Sequence, residues 1–354
     1  MLKAGNGKPG GLPNTHRQAR RLARHVTMPS VDVVVVNWNG RRYLPACLES
    51  LRAQTCADFE VWLVDNGSTD GSVAWAQAHG PQIRLIANDT NRGFAAANNQ
   101  AIRAGQAPYV ATLNNDTVAD PRWLAELARA LDENPRRGMA AALMVFADRP
   151  DTINSAGIAV DRLGIAWDRL GGQPVANSET SATPVFGACA GAALYRRAML
   201  DDIGLFDEDF FAYLEDVDLA WRAQWAGWDA VYVPTARVTH HHSATAGEGS
   251  PFKSRLLGRN KVWLIAKNYP LPHLWVYGWL IGLYDLAGVG RALLNRREPS
   301  ALAGRLEGWR GARRMWRKRQ HLVRRRSAAQ IMSRLAPVQS PQQVLARYRH
   351  LVAR

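Results

Sequence analysis

The chain has 354 residues, 47% of them apolar, and a net charge of +15 at pH 7. Its length allows one large α/β core plus an appendage, and its charge is too unevenly spread for a chain that coats a polyanion end to end. Residues 1–30 hold six Lys/Arg and no acid, residues 31–250 hold 17 basic and 27 acidic side chains, and residues 251–354 hold 22 basic and 3 acidic ones.

A central body at −10 repels polyanions unless a cation intervenes, whereas flanks at +6 and +19 are drawn to anionic surfaces. Body and flanks are therefore expected to meet different partners. Only Cys47, Cys56 and Cys189 are present, an odd number without metal-ligand spacing, which predicts reduced thiols. The N-terminal segment is basic, rich in Gly, Pro and Asn, and without the apolar stretch of a secretory leader, so residues 1–30 read as disordered. Met28, just before the first strand, is a candidate alternative start.

The run VDVVVVN from Val31 reads as a buried strand, and Leu44, Cys47, Leu48 and Leu51 follow at helical spacing. The pair recurs as FEVWLVD then Val73 to His79, IRLIAN then Phe94 to Gly105, and YVATLN then Pro121 to Asn134. Such alternation implies right-handed crossovers and a doubly wound, mostly parallel α/β sheet. After Met139 the sequence predicts a hairpin around Ile158 to Trp167, a strand within GACAGAALYRR, a helix from Glu215 to Ala226 and a short strand AVYVP. From Arg255 onward helices dominate. Trp221, Trp225 and Trp228, at helical spacing, are expected in the core.

Ligands of doubly wound sheets bind beyond the carboxyl ends of the strands. Those ends carry Asn37 to Gly40, Asp65 to Asp70, Asn88 to Gly93 and Asn114 to Asp116. Any one of these loops is ordinary turn chemistry; four in series point to a binding edge. Asp65 is placed to accept hydrogen bonds from a base or ribose, and the Gly and Ser residues of VDNGSTDGS let backbone donors approach. GxGxxG and a Lys-containing phosphate loop are both missing, which counts against a dehydrogenase and a nucleoside triphosphatase. Asp116, with Asn114 two positions earlier, suits a hard divalent ion that keeps several waters and binds a diphosphate. The other reading of Asp116 is a cap on the helix beginning at Pro121. Asp218 lies two helical positions beyond Asp216, is expected to face elsewhere, and either caps the helix or pairs with Arg222.

Taken in order, VVVVNWNGRRYLPACLESLRAQT, VDNGSTDGS, NRGFAAANNQAI, LNNDT, GACAGAALYRR and IGLFDEDFFAYLEDVDLAWRAQWAG resemble glycosyltransferase family 2. The resemblance covers about Val31 to Asn260 and is nearest to the bacterial rhamnosyltransferase-like branch. It implies a GT-A fold, a nucleotide-diphosphate sugar donor, Mg2+ or Mn2+, and inversion at the anomeric carbon. It also implies that Asp65 reads the nucleoside and that Asp116 is the last acid of the metal-binding DxD element, whose first acid is here Asn114. His240 in VTHHHS resembles the family's late histidine near the diphosphate, and is expected beside the metal. Asp216 maps to the second acid of the ED element, the base that takes the acceptor's proton, with Glu215 orienting acceptor or base. The candidate donor-binding residues are then Asn37, Asn39, Asp65, Asn66, Asn88, Arg92, Gly93, Asn114 and Asn115. Phe210, Phe211 and Tyr213 are expected to wall off the sugar from water. A helix start lowers a carboxyl pKa while burial and a neighbouring acid raise it, so the sequence leaves the state of Asp216 open.

LWVYGWLIGLY, Leu274 to Tyr284, is too short to span a bilayer. Trp275, Tyr277, Trp279 and Tyr284 are interface-type aromatics, and dense Arg follows. Two readings stand: a peripheral protein on the inner face of the cytoplasmic membrane, or a helical hairpin packed on the body. The expected organisation is a disordered segment 1–30, a catalytic domain 31–250 with a nucleotide-sugar half (31–120) and an acceptor half (121–250), and a basic helical extension 251–354. The expected activity is metal-dependent transfer of a sugar, L-rhamnose from dTDP-rhamnose, to a cell-envelope glycan or lipid-linked acceptor. The alternatives are a non-catalytic sugar-nucleotide binder and a nucleic-acid-binding protein using the Arg-rich tail. Nucleic acid is the disfavoured partner, because no recognisable RNA or DNA module is present.

Overall fold

A computed structural model describes residues 1, 30–80, 82–241, 250–296, 299–344 and 346. The expectations for the N-terminal segment, for Met28 and for His242 fall outside the described residues. The first part of the chain alternates as its hydrophobic periods predict: β1 (Val31–Asn37), α1 (Leu44–Arg52), β2 (Phe59–Asp65), α2 (Ser72–His79), β3 (Ile83–Ala87), α3 (Phe94–Ala104) and β4 (Tyr109–Asn114). The order then loosens through β5 (Thr117–Ala119), α4 (Trp123–Asp132), β6 (Arg137–Phe146), β7 (Ile153–Ser155) and the predicted hairpin, β8 (Ile158–Val160) with β9 (Ala166–Asp168). β10 (Thr183–Val185), β11 (Ala192–Arg196), α5 (Arg197–Ile203), α6 (Glu215–Ala226) and β12 (Asp229–His240) complete the body.

The main sheet runs β10-β12-β6-β11-β4-β1-β2-β3. β1 to β4 are mutually parallel where they pair, β6 and β12 are parallel, and β11 lies antiparallel between β4 and β6. Successive side chains of a strand face opposite ways, so the valines of β1 serve two cores. Val33 and Val35 join one with α1 and α4, and Val34 joins the other with α3, α5 and α6. Trp221 and Trp225 are buried and Trp228 packs against the same cluster, as expected.

One element differs from expectation in a way that matters. The sequence gives a short strand AVYVP, because Pro234 has no N–H for a ladder. The strand instead bulges between Val233 and Arg237 and resumes to His240, paired with β6 and β5. The bulge absorbs the proline, and the resumed strand carries His240 to the same sheet end as Asp116.

The C-terminal helices are α7 (Pro251–Asn268), α8 (Leu271–Arg296), α9 (Ser300–Arg319) and α10 (Ala328–Met332). Trp263, Leu264, Met315, Ile331 and Met332 share one buried cluster with Phe210 and Trp221 of the body. α9 can lie against α7 because Gly304 offers no Cβ; one there would sit 2.0 Å from the Arg255 carbonyl oxygen. Ion pairs cross from the helices and the segment after them to the body: Lys267 to Asp207 and Asp218, Lys318 to Asp207 and Asp209, Arg314 to Asp209, Arg325 to Asp202, and Arg326 and Arg334 to Asp229. These contacts dock the basic flank on the body, so part of the flank's positive charge answers the body's own acids.

Asp218 lies at the centre of this seam. It is fully buried, and it accepts hydrogen bonds from Arg222 Nε (2.8 Å), Lys267 Nζ (2.9 Å) and Asn268 Nδ2 (2.7 Å). Burial pushes its carboxyl up, but the Lys267 and Arg222 charges outweigh that and hold it below the ordinary carboxylate range. Removing one partner from a buried ionic network leaves the others desolvated and uncompensated. Asp218→Ala is therefore expected to cost about 3–5 kcal/mol in urea unfolding followed by circular dichroism, and a loss smaller than that of an exposed pair would contradict this account.

Candidate functional site

The loops after β1, β2 and β3 form one polar network. Asn37 Nδ2 donates to Asp65 Oδ2 (2.8 Å), and the Ser68 N–H donates to Asp65 Oδ1 (2.9 Å). Asn39 sits at φ +50, a conformation Asn tolerates, where its Oδ1 accepts from the Thr69 N–H (2.8 Å). Asn66 Oδ1 accepts from the Arg92 N–H (3.0 Å) and from Asn88 Nδ2 (3.2 Å), while Asn66 Nδ2 donates to Asn91 and to the Gly93 carbonyl. Asp65 is almost wholly buried, and two of its roughly four lone-pair sites serve this scaffold. Arg92 joins the network through its backbone only; its side chain is exposed, with its charge near Glu208. Gly93 has φ +87, and a Cβ there would meet the Phe211 carbonyl oxygen at 2.6 Å. That close approach brings the donor-side loops against the loop that precedes α6.

The end of β4 is joined to this network by Asn115, whose Nδ2 donates to Asn37 Oδ1 (2.7 Å). Next to it, Asp116 is buried and faces His240, with Oδ1 to Nε2 at 3.2 Å; Asn114 Nδ2 lies 3.4 Å from the same ring nitrogen. Asp116 does not cap the following helix; Asp120 accepts from the Arg122 N–H there. His240 Nδ1 is 2.7 Å from Asn154 Oδ1, so Asn154 holds the ring through Nδ1 and leaves Nε2 facing Asp116. Burial raises the Asp116 carboxyl, but the hydrogen bond and charge of His240 prevail and lower it.

This pair fits a divalent ion. Two ligand atoms 3.2 Å apart match neighbouring positions around one cation with bonds of about 2.1 Å. Among the described residues no cluster of three or more His, Cys, Asp or Glu offers a complete cage. A two-ligand site of this kind leaves the remaining positions for water and for phosphate oxygens. A cavity of about 220 Å³ adjoins it, lined by Asp116, Tyr43 and His241, whose rings lie 5.1 Å apart. A cavity of about 240 Å³ lies by the ion-pair seam instead, where Asp207, Arg222, Lys267 and Lys318 are already paired.

The segment 189–191 connects β4 to the acidic helix start. The Asn114 N–H donates to the Gly191 carbonyl (2.9 Å), and the Ala190 N–H donates to Asp216 Oδ2 (3.1 Å). Burial, with the nearby Asp168 charge, raises the Asp216 carboxyl to about 6 despite the hydrogen bonds from Ala190 and Val217. Of the two pushes that the sequence leaves open, burial wins. Burial and the Asp216 charge also raise Glu215 well above the carboxylate range, and its Oε2 is buried with no partner among the described residues. Phe211 and Tyr213 are partly exposed beside this start, but Phe210 is fully buried and packs edge-on against Trp263 at 6.0 Å. Phe210 is core, which corrects its place in the expected sugar-facing wall.

Four contributors escaped the sequence reading. Asn154, the Ala190 N–H, Asp168 and Cys189 come from segments that no strand-end pattern marks. Asp168 is raised by burial against hydrogen bonds from Ser155 and Cys189, and Cys189 is raised by burial and by the Asp168 charge. The sequence GACAG carried a signal, since small residues without side-chain bulk let backbone donors approach a carboxylate closely.

The model of Glycosyl transferase family 2 matches residues 32–204. The N-acetylglucosaminyl-diphospho-decaprenol L-rhamnosyltransferase of Mycobacterium tuberculosis (strain ATCC 25618 / H37Rv) is 33% identical over 240 residues, covering 61% of this chain and 78% of its own. The O-antigen biosynthesis protein RfbC of Myxococcus xanthus is 30% identical over 296 residues, 77% of this chain and 23% of its own. Two solved structures share the fold. The mannosyltransferase PcManGT of Pyrobaculum calidifontis, in complex with GDP-Man and Mn2+, superposes with TM-score 0.50 at 18% identity over 90% of this chain and 92% of its own. GalNAc-T7 with UDP, GalNAc and Mn2+ superposes with TM-score 0.52 at 15% identity over 68% of this chain and 51% of its own. The fold is GT-A, and this chain belongs to glycosyl transferase family 2 as a nucleotide-sugar glycosyltransferase.

Proposed function

We propose that this chain is an inverting, metal-dependent transferase that moves a sugar from a nucleotide diphosphate to a cell-envelope glycan or lipid-linked acceptor. One observation carries the reading: segment 189–191 ties the Asp116–His240 pair at the end of β4 to an Asp216 carboxyl raised to about 6. Asp116 and His240 would hold a divalent ion, which would supply charge neutralisation to the departing diphosphate, and the Asp65 network holds the nucleoside. Asp216 accepts the acceptor hydroxyl's proton as that oxygen bonds to the anomeric carbon and the carbon–oxygen bond to the diphosphate breaks, its electron pair leaving with phosphate. Glu215, whose carboxyl is raised by burial and by the Asp216 charge, orients the acceptor or the base; its Oε2 has no partner among the described residues.

The donor we infer is dTDP-rhamnose, and the support is the 33% identity to an L-rhamnosyltransferase named for a decaprenol-linked substrate. A lipid-linked acceptor calls for a membrane surface. Among the described residues no helix is long and apolar enough to cross a bilayer. α8 instead turns Trp275, Trp279, Leu283 and Leu286 outward, at 91%, 69%, 54% and 72% exposure, while Tyr277 packs inward and the Tyr284 hydroxyl donates to the Gln339 carbonyl. We therefore place the chain peripherally on the inner face of the cytoplasmic membrane, with this face of α8 at an anionic bilayer surface.

Four measurements check these roles. Asp216→Asn should lower kcat roughly 100- to 10,000-fold with donor binding little changed. In the unmodified chain a base of this kind must be ionised, so kcat/KM should fall as pH drops through about 6 and level off above it; a pH-independent profile would remove Asp216 from the role. Asp116→Ala should raise the Mn2+ concentration needed for half-maximal turnover at least about tenfold, and an unchanged metal dependence would contradict it. Trp275→Ala combined with Trp279→Ala should reduce sedimentation with phosphatidylglycerol vesicles, and undiminished binding would dismiss α8 as the contact.

A further inference from the structure

The loop leading into α6 holds an unusual backbone. Phe211, Tyr213 and Leu214 have φ of 64, 68 and 65, in the left-handed region that non-glycine residues avoid. Such a path persists only where surrounding contacts over-determine it, and it decides where Glu215 and Asp216 emerge. The contacts come from two sides. From α3, the Ala95 N–H donates to the Phe211 carbonyl (3.1 Å). From α7, Asn260 Nδ2 lies within hydrogen-bonding distance of the carbonyls of Phe210 (2.9 Å), Ala212 (2.9 Å) and Tyr213 (2.7 Å), its two hydrogens shared among the three.

Asn260 is fully buried, and its orientation is dictated by its neighbours. Its Oδ1 accepts from Arg259 Nε (2.9 Å), and the guanidinium continues to the Phe210 carbonyl through Nη2 (2.8 Å). Donors on one side and three carbonyl oxygens on the other leave a single satisfactory placement of the amide. The three backbone acceptors around this buried amide come from one loop, 47 to 50 positions earlier in the chain.

We infer that Asn260 is a positioning residue for glycosyl transfer: its amide holds loop 210–214 in the strained path that aims Asp216 at the acceptor hydroxyl. This rests on the reading of Asp216 as the base. α7 is thereby part of the catalytic apparatus although it contributes no group to the reacting atoms. A displacement of the base by about 1 Å costs on the order of 100-fold in rate; the donor loops touch loop 210–214 at Gly93 and Ala95 but are held in place by the Asn37–Asp65 and Asn66 network of their own.

The test uses the full chain and two variants. Asn260→Ala deletes the donor; Asn260→Asp keeps the shape but presents acceptor oxygens to carbonyl oxygens. Turnover is followed as nucleoside diphosphate release from dTDP-rhamnose with Mn2+ and a membrane lipid extract, and binding by calorimetry with dTDP and Mn2+. Both variants should lose roughly 100-fold in kcat, while donor KM and dTDP affinity stay within about threefold and cooperative melting persists. A kcat within about threefold of the unmodified chain in either folded variant overturns the inference. So does a fall in dTDP affinity parallel to kcat, or failure of both variants to fold, since each marks a merely structural amide. Asp216→Asn measured alongside separates the two readings. If it turns over normally, the base assignment falls and the inference with it; if it is inactive while the Asn260 variants are normal, the base stands and the clamp falls.

Discussion

The site depends on keeping neighbouring carboxylates in different charge states within one low-dielectric region. Charges close together in a protein interior cannot all ionise unless each has its own counterpart. Asp207 and Asp218 have Lys267 in common, with Lys318 and Arg222 beside them, and both lie below the ordinary carboxylate range despite burial. Asp116 has His240. Asp216 accepts only backbone N–H groups among the described residues, Glu215 Oε2 has no partner there, and these two are the acids pushed upward. Three acids of α6's first turn thus divide by what faces them. Asp218 is held in its anionic form by cationic partners, while the carboxyls of Glu215 and Asp216 are raised, as the proposed proton transfer requires.

The parts of this arrangement legible in the sequence are those encoded by local period or by side-chain type. The valine run of β1 and the Asn- and Asp-rich strand ends announce both sheet and binding edge, because a parallel strand buried on two faces has to be continuously apolar and its loops have to turn. Asp218 was readable too, since four positions on a helix bring Arg222 into reach. His240 lies beside Asp116, but the strand pattern does not supply the reason: Pro234 suggests an early stop, and pairing with β5 and β6 carries the chain onward.

What stayed hidden is whatever works through the backbone. Asn260 binds three carbonyls, and carbonyls carry no residue identity, so no motif marks the residue as a partner of loop 210–214. The Ala190 N–H on Asp216 is hidden for the same reason. The meaning of the charge asymmetry was hidden as well. A body rich in acids and a tail rich in Arg look, in sequence, like two units with separate partners, whereas Lys267, Lys318, Arg325 and Arg326 bind the body's own acids.

The position of β12 bears on how this chain can be divided. It lies inside the sheet, with β6 on one side and β10 and β5 on the other, although it is the last strand in sequence. The family match, by contrast, ends at residue 204. A fragment cut there would leave the long, apolar β6 with an open row of N–H and C=O groups, the kind of bare edge that recruits other chains and precipitates. Recombinant pieces or chimaeras of this protein therefore have to be bounded by strand order in space, not by the extent of sequence similarity.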